Sequence, residues 1–424
     1  MPACRESASA NLYVHFPFCR RKCTYCALHS RVMSEADRSE YASRIAAAIP
    51  QALHRFSPGC KSPQRLSTIY FGGGSPALCN LKPVFSALSP FLGANAQASK
   101  PAATAPVEFT VEMHPLDVTR EKLQELRDGG VNRISMGVQS LDDDVLRHMG
   151  RGYTLAVAER AFALVKEYFD NSGIDLIVGY PGDRVFEGLT EECIRKTAQG
   201  GSQFHSSAIQ NLLRLSNWGL RHCSVYSLIL EESSILARML GKRPAQHCGN
   251  TSYKQGETSG KWGETPIKLH SDDEILDKIS IISKFLKSIG LQRYEISNYA
   301  VPGYECQHNM ATWRGEDYIG LGDGAHGRIG LLRTTNWWPE PWGETPKKWG
   351  ETPGFDEVSE EKDEIERKIF SLRTREGLDA NGHPEWISVL DRFASEGLLA
   401  KDSLRYRLTE RGTEVCDSIL AELV

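Results

Sequence analysis

Long apolar runs are missing from this sequence. Nowhere in its 424 residues do about eighteen apolar residues follow one another, so no membrane-spanning helix is expected. A basic surplus is missing too. Lys and Arg number 50 against 54 Asp and Glu, giving a net charge of −4 and a pI near 6.3. Nucleic-acid binding, which normally shows a basic stripe, is therefore not expected. The opening Met1-Pro2-Ala3-Cys4-Arg5 contains no apolar stretch of signal-peptide length. Eight of the eleven cysteines (Cys4, Cys60, Cys79, Cys193, Cys223, Cys248, Cys306 and Cys416) are scattered singly. That scatter predicts reduced thiols in the cytoplasm, not a disulfide framework. Apolar content of 40% and charge of 25% are ordinary for a globular chain with one large and one smaller domain.

The remaining three cysteines are not scattered. Cys19, Cys23 and Cys26 stand at CxxxCxxC spacing directly after the strand-like run ending Tyr13-Val14-His15-Phe16. Three thiolates can hold three irons of a four-iron cube and leave the fourth iron open to a small molecule. A structural zinc would need a fourth ligand, for which His15 or His29 is the candidate, but no second CxxC or CxxH pair follows at finger spacing. The trio therefore points to one-electron chemistry, with the amino and carboxylate groups of S-adenosylmethionine as the expected occupant of the open iron.

Short apolar runs at 12–18, 67–74, 107–115, 132–140, 174–182 and 222–230 read as strands. Helical periodicity falls between them, clearest at 36–48, 119–128, 155–169 and 272–289. Repeated β-then-α units predict an α/β fold with a parallel sheet, and six of them predict a partial (β/α)6 barrel. Two strands alternate strictly: Phe109, Val111 and Met113 with Glu108, Thr110 and Glu112, then Ile134, Met136 and Val138 with Arg133, Ser135 and Gln139. One face belongs under helices; the polar one must meet water or a ligand. The pentapeptide Trp-Gly-Glu-Thr-Pro recurs at 262–266, 342–346 and 349–353, with a decayed copy at 255–259, and reads as loop insertion. The expected organisation is a barrel with its closing loop over 1–327 (insertion at about 242–268), a linker over 328–355, and a small C-terminal α+β unit over 356–424. That last unit resembles a winged helix but holds 17 acidic against 10 basic residues, which disfavours DNA.

Chemistry-bearing residues collect at the predicted strand ends. Gly72-Gly73-Gly74-Ser75-Pro76 lets backbone approach a ligand closely. Glu112 lies on a polar strand face, where it would bond a nucleoside or pair with Arg133. Gln139, Arg151 and Asp175 lie at or just beyond the ends of the next strands, the rim where parallel barrels place functional groups. The segment 294–327 is dense in polar and aromatic side chains. It either receives a flat ligand, with His308 as axial iron ligand, or plugs the open side of the barrel.

Taken in order, Tyr13–Cys26, Gly72–Pro76, Asn132–Ser140 and Asp175–Gly182 resemble the radical S-adenosylmethionine proteins of the coproporphyrinogen III oxidase-like group. Tyr294–Tyr299 and His308–Gly315 narrow the resemblance to the HemW-type heme chaperones. The resemblance implies a [4Fe-4S] cluster on Cys19, Cys23 and Cys26. It implies that Tyr13, Tyr25, Gly73, Gly74, Ser75, Glu112, Gln139, Arg151 and Asp175 line the S-adenosylmethionine site. It also implies heme as cargo and apo-hemoproteins as partners. The heme-associated pattern of such proteins is His-Asn-x-x-Tyr-Trp; here Thr312 stands in the tyrosine position. The related enzyme, oxygen-independent coproporphyrinogen III dehydrogenase, is the alternative. It carries a further cysteine two residues after the third, where this chain has Ala27-Leu28.

Overall fold

Strict alternation in the sequence becomes two chemically different faces of one curved sheet. The computed structural model describes residues 10–55, 66–92, 107–185, 192, 194, 207–241, 261–262, 265–339 and 354–423. Six parallel strands lie side by side in chain order: β1 (Ala10–Phe16), β2 (Leu66–Gly73), β3 (Glu108–Met113), β4 (Arg133–Gln139), β5 (Ser172–Val178) and β6 (His222–Ser227). Helices α1 (Glu35–Arg55), α2 (Lys82–Leu88), α3 (Arg120–Asp128), α4 (Asp143–Met149) and α5 (Leu155–Tyr168) connect the first five. Phe109, Val111 and Ile134 are wholly buried in one core with Leu123 and Leu126 of α3 and Ile45 and Ile49 of α1. Helix starts follow the sequence: Asp142 accepts from Asp144 and Val145 N–H ahead of α4, and Ser271 with Glu274 forms a capping box for the helix Asp272–Ser288.

Both edges of this parallel array are extended, which the strand periodicity does not reveal. Beyond β6 come antiparallel Asn298–Ala300 and Gln292–Glu295. Beyond β1 comes Tyr318–Leu321, parallel to it, followed by antiparallel His326–Ile329, Leu332–Thr335 and Gly354–Glu357. The boundary expected at 327/328 therefore falls inside a strand, and the described parts of the 328–355 linker are strands of the main sheet. Short edge strands built on tight turns carry too little periodicity to separate them from loop.

The C-terminal segment has its own core of Leu390, Phe393, Tyr406 and Ile419 between the helices Glu360–Ser371 and Pro384–Ser395 and a three-stranded sheet. Buried Arg328 and half-buried Arg333 tie it to the main sheet through Asp363 and Glu366. Among the described residues, no helix is long and apolar enough to cross a membrane. The pentapeptide copies at 342–346 and 349–353, the decayed copy at 255–259 and the stretch 93–106 lie outside the described residues. In the copy at 262–266, Trp262 pairs with Thr265 in a two-strand ladder.

Candidate cofactor site at the barrel mouth

The cysteine loop leaves β1 at the carboxyl edge of the sheet and is fastened on several sides. Cys19 N–H donates to the Arg31 carbonyl (2.8 Å) and Arg31 N–H to the Pro17 carbonyl (2.7 Å). Thr24 N–H reaches Met149 O beyond β4 (3.0 Å), and Leu236 N–H, after β6, reaches Thr24 O (2.7 Å). The Thr24 hydroxyl bonds Tyr180 at 2.8 Å. A loop carrying Arg20, Arg21 and Lys22 between its cysteines is thus held by backbone bonds to Arg31, Met149 and Leu236.

The glycine turn after β2 packs directly against this loop. Gly74 N–H donates to Phe16 O (2.8 Å) and Ser75 N–H to Phe18 O (2.7 Å). A Cβ on Gly74 would strike the Phe18 carbonyl and lie 2.9 Å from Cys19 Sγ. Gly73 has φ +109°, and a Cβ there would lie 2.7 Å from the His15 ring. His15 is spoken for: its Nε2–H donates to the His29 carbonyl (2.9 Å), so Nδ1 accepts from the Tyr13 hydroxyl (3.0 Å). Burial pushes His15 down to about 4, keeping it neutral.

Arg151 is the strut of the mouth. It is 7% exposed and donates to Gly137 O (2.6 Å), Tyr153 Oη (3.1 Å), Tyr25 Oη (3.4 Å) and Cys23 Sγ (3.4 Å). The carbonyl it grips belongs to a register shift in β4, after which Gln139 takes φ +73°, unusual for a residue with a side chain. Glu112 accepts from Tyr70 Oη (2.8 Å) and Gly73 N–H (3.1 Å), so the expected pairing with Arg133 gives way to these donors. Burial first, then Asp175, raises Glu112 to about 7. Asp175 accepts from Ser135 Oγ (3.0 Å) and is raised by burial. Two carboxylates that resist ionisation together thus face one polar lumen.

The nine residues expected to line a nucleoside site come from β1 to β5 and the loops that follow them, with Tyr13 and Asp175 at mid-strand and not, as expected for Asp175, at the strand end. Tyr13, Gly73, Glu112 and Asp175 share the lumen face, and Tyr25 and Arg151 meet over Cys23. Ser75 differs: its hydroxyl is spent on Asp117 (2.5 Å), which also pairs with Arg20. Asp117, Tyr70 and Tyr153 escaped the sequence reading. Asp117, in the turn just past β3, is the one the rim rule would have found.

The trio suits an iron–sulfur cube. Burial first, then the neighbouring Cys23 and Cys26, pushes Cys19 up to about 11, and burial raises Cys26. Metal binding draws such protons off. Among the described residues, no three His, Cys, Asp or Glu side chains converge as a single ion requires, and a cube spreads its thiolates over three irons. Soft sulfur donors on one loop, with the glycine turn packed against it, are the donor set such a cluster needs.

His308 lies elsewhere, at the floor of the lumen. It opens the short helix Gln307–Trp313, whose first N–H groups donate to Glu108: Gln307 at 2.9 Å and His308 at 3.0 Å. The ring is 6% exposed, between Tyr13, Tyr70 and Tyr318 at centroid distances of 6.3, 5.2 and 6.4 Å. Burial, then Arg133, pushes it down to about 3, so it is neutral at physiological pH. The strands of 294–327 extend both edges of the sheet, and its helix sets His308 on the lumen floor.

A model of the radical SAM superfamily matches residues 13–191. The chain is 28% identical to the heme chaperone HemW of Bacillus subtilis (strain 168), an alignment covering 97% of this chain and 99% of that one. It is 29% identical to the heme chaperone HemW of Escherichia coli (strain K12), over 77% of this chain and 73% of that one. Among solved structures, the radical SAM enzyme coproporphyrinogen III oxidase (HemN) from Escherichia coli matches with a TM-score of 0.70 at 21% identity, over 98% of this chain and 90% of that one. That likeness is one of fold, and it bears out the barrel.

Proposed function

We propose that this chain, whose residues 13–191 match the radical SAM superfamily, is a heme chaperone, binding heme and passing it to apo-hemoproteins while carrying a [4Fe-4S] cluster and S-adenosylmethionine. The observation that carries this reading is similarity along nearly the whole chain to proteins named heme chaperone, C-terminal unit included. Ala27-Leu28, in place of the further cysteine of the dehydrogenase, supports the carrier over the enzyme.

Cluster and S-adenosylmethionine, when bound, supply one-electron chemistry. The chain's own residues bind and orient. Cys19, Cys23 and Cys26 would hold three irons, with Arg151 3.4 Å from the Cys23 sulfur. Gly73 and Gly74 let the turn after β2 pack against His15 and the cysteine loop, where the methionyl part would lie, and Glu112, Gln139 and Asp175 offer polar groups to the nucleoside. His308 is our candidate for the heme iron. Seven described cysteines are free, in keeping with a reducing compartment such as the cytoplasm.

Heme added to purified protein should develop a Soret band that His308→Ala weakens; no band at stoichiometric heme sinks the proposal. Anaerobic incubation with coproporphyrinogen III and S-adenosylmethionine should leave the porphyrinogen unchanged, and turnover would favour the dehydrogenase.

A further inference from the structure

The floor histidine is held by a chain of hydrogen bonds in which every proton can be assigned. Asn11 Nδ2 lies 3.0 Å from the Asp317 carbonyl, which only accepts, so the amide orientation is settled and Asn11 Oδ1 faces the other way. Thr68 Oγ1 lies 2.8 Å from that Oδ1, also an acceptor only, so the Thr68 proton goes there. Thr68 Oγ1 is simultaneously 2.7 Å from His308 Nδ1. With its single proton committed, the hydroxyl can only accept, so Nδ1 carries the hydrogen. In the neutral ring Nε2 is then a bare lone pair, and it has no hydrogen-bond partner among the described residues. Asn11 and Thr68 are themselves buried, at 1% and 3% exposure, where water does not compete for these bonds.

We propose that Asn11 and Thr68 are positioning residues that lock His308 as its Nδ1–H tautomer and so present Nε2 as an electron-pair donor to an iron centre in the lumen. An acceptor for the N–H of the far ring nitrogen fixes ring orientation and raises ligand basicity, the role that outer partners play for metal-binding histidines. The relay starts on β1, passes through β2 and ends on the floor helix. It needs no cofactor to form. Naming iron as the recipient rests on the heme reading above.

The first test uses the cofactor-free full chain. In protein labelled with 15N-histidine, the His308 signals, assigned by their loss in His308→Gln, should show a protonated Nδ1 and an unprotonated Nε2 at pH 7. Thr68→Val should shift the balance toward Nε2–H, and Thr68→Ser should restore the original pattern. A protonated Nε2 in the unaltered protein, or an unchanged pattern in Thr68→Val, overturns the relay. Heme titration then addresses the recipient. Thr68→Val should weaken heme binding roughly tenfold or more and move the Soret maximum, with Thr68→Ser close to the unaltered protein. An Nδ1–H tautomer together with a Soret band indifferent to His308→Ala would overturn iron as the recipient while leaving the relay standing.

Discussion

The mouth and the floor of the lumen are built in opposite ways. At the mouth, function-bearing residues are sequence neighbours: three cysteines within eight positions and two glycines within two, on loops pinned by backbone hydrogen bonds. On the floor they come from far apart: Asn11, Thr68 and His308 are joined side chain to side chain, and Glu108 takes the backbone N–H of His308. A mouth made from loops can take up a bulky cluster and a nucleoside without disturbing the sheet. A floor made from strand residues trades adaptability for fixed hydrogen-bond direction.

The contrast breaks most sharply at Cys23. Replacing it by serine should abolish cluster iron and labile sulfide while leaving the far-ultraviolet circular dichroism unchanged; retained iron would mean that the mouth is not the cluster site. Gly74→Ala comes next, because its Cβ collides with backbone and not with a flexible side chain. Cluster occupancy after reconstitution should fall roughly tenfold, equivalent to about 1.4 kcal/mol. Arg151→Lys keeps the charge but loses the fork that reaches Gly137 and Cys23 together. It should weaken S-adenosylmethionine binding several-fold, measurable by calorimetry on the cluster-loaded protein.

The smallest effect sits between the two regions, at Glu112. Its pKa in the folded chain, about 7, lies above its ordinary 4.5. The folded state therefore holds a proton that the unfolded state gives up between those values. Its stabilising contribution is complete below pH 4.5 and is lost as pH rises to 7. Melting curves should accordingly show Glu112→Gln gaining on the unaltered protein across that window and running parallel above it. A constant difference from pH 4 to 8 would show that Asp175 and burial do not act on Glu112 as its surroundings imply.

Legibility in the sequence followed the same division. The cysteine spacing, the glycine turn and the alternation of Phe109, Val111 and Met113 with their polar neighbours are local patterns, and the cluster loop and the two-faced sheet were readable from them. Asn11, Thr68 and Arg133 looked like ordinary polar strand residues, because their meaning depends on which distant side chain each meets. The strands from Gln292 to Thr335 were hidden for a related reason: at three or four residues each, pairing and not periodicity defines them. Ser75 shows the converse, since the right residue in the right turn has its hydroxyl committed to Asp117.

The two amides clamped by Glu108 offer a built-in gauge. Exchange of the Gln307 and His308 amide protons with deuterated solvent requires that carboxylate to let go, so their rates time each lifting of the floor helix from the strands beneath it. On the proposed chaperone function, comparing those rates with and without an apo-hemoprotein would reveal whether heme departs through an opened base or past the cysteines.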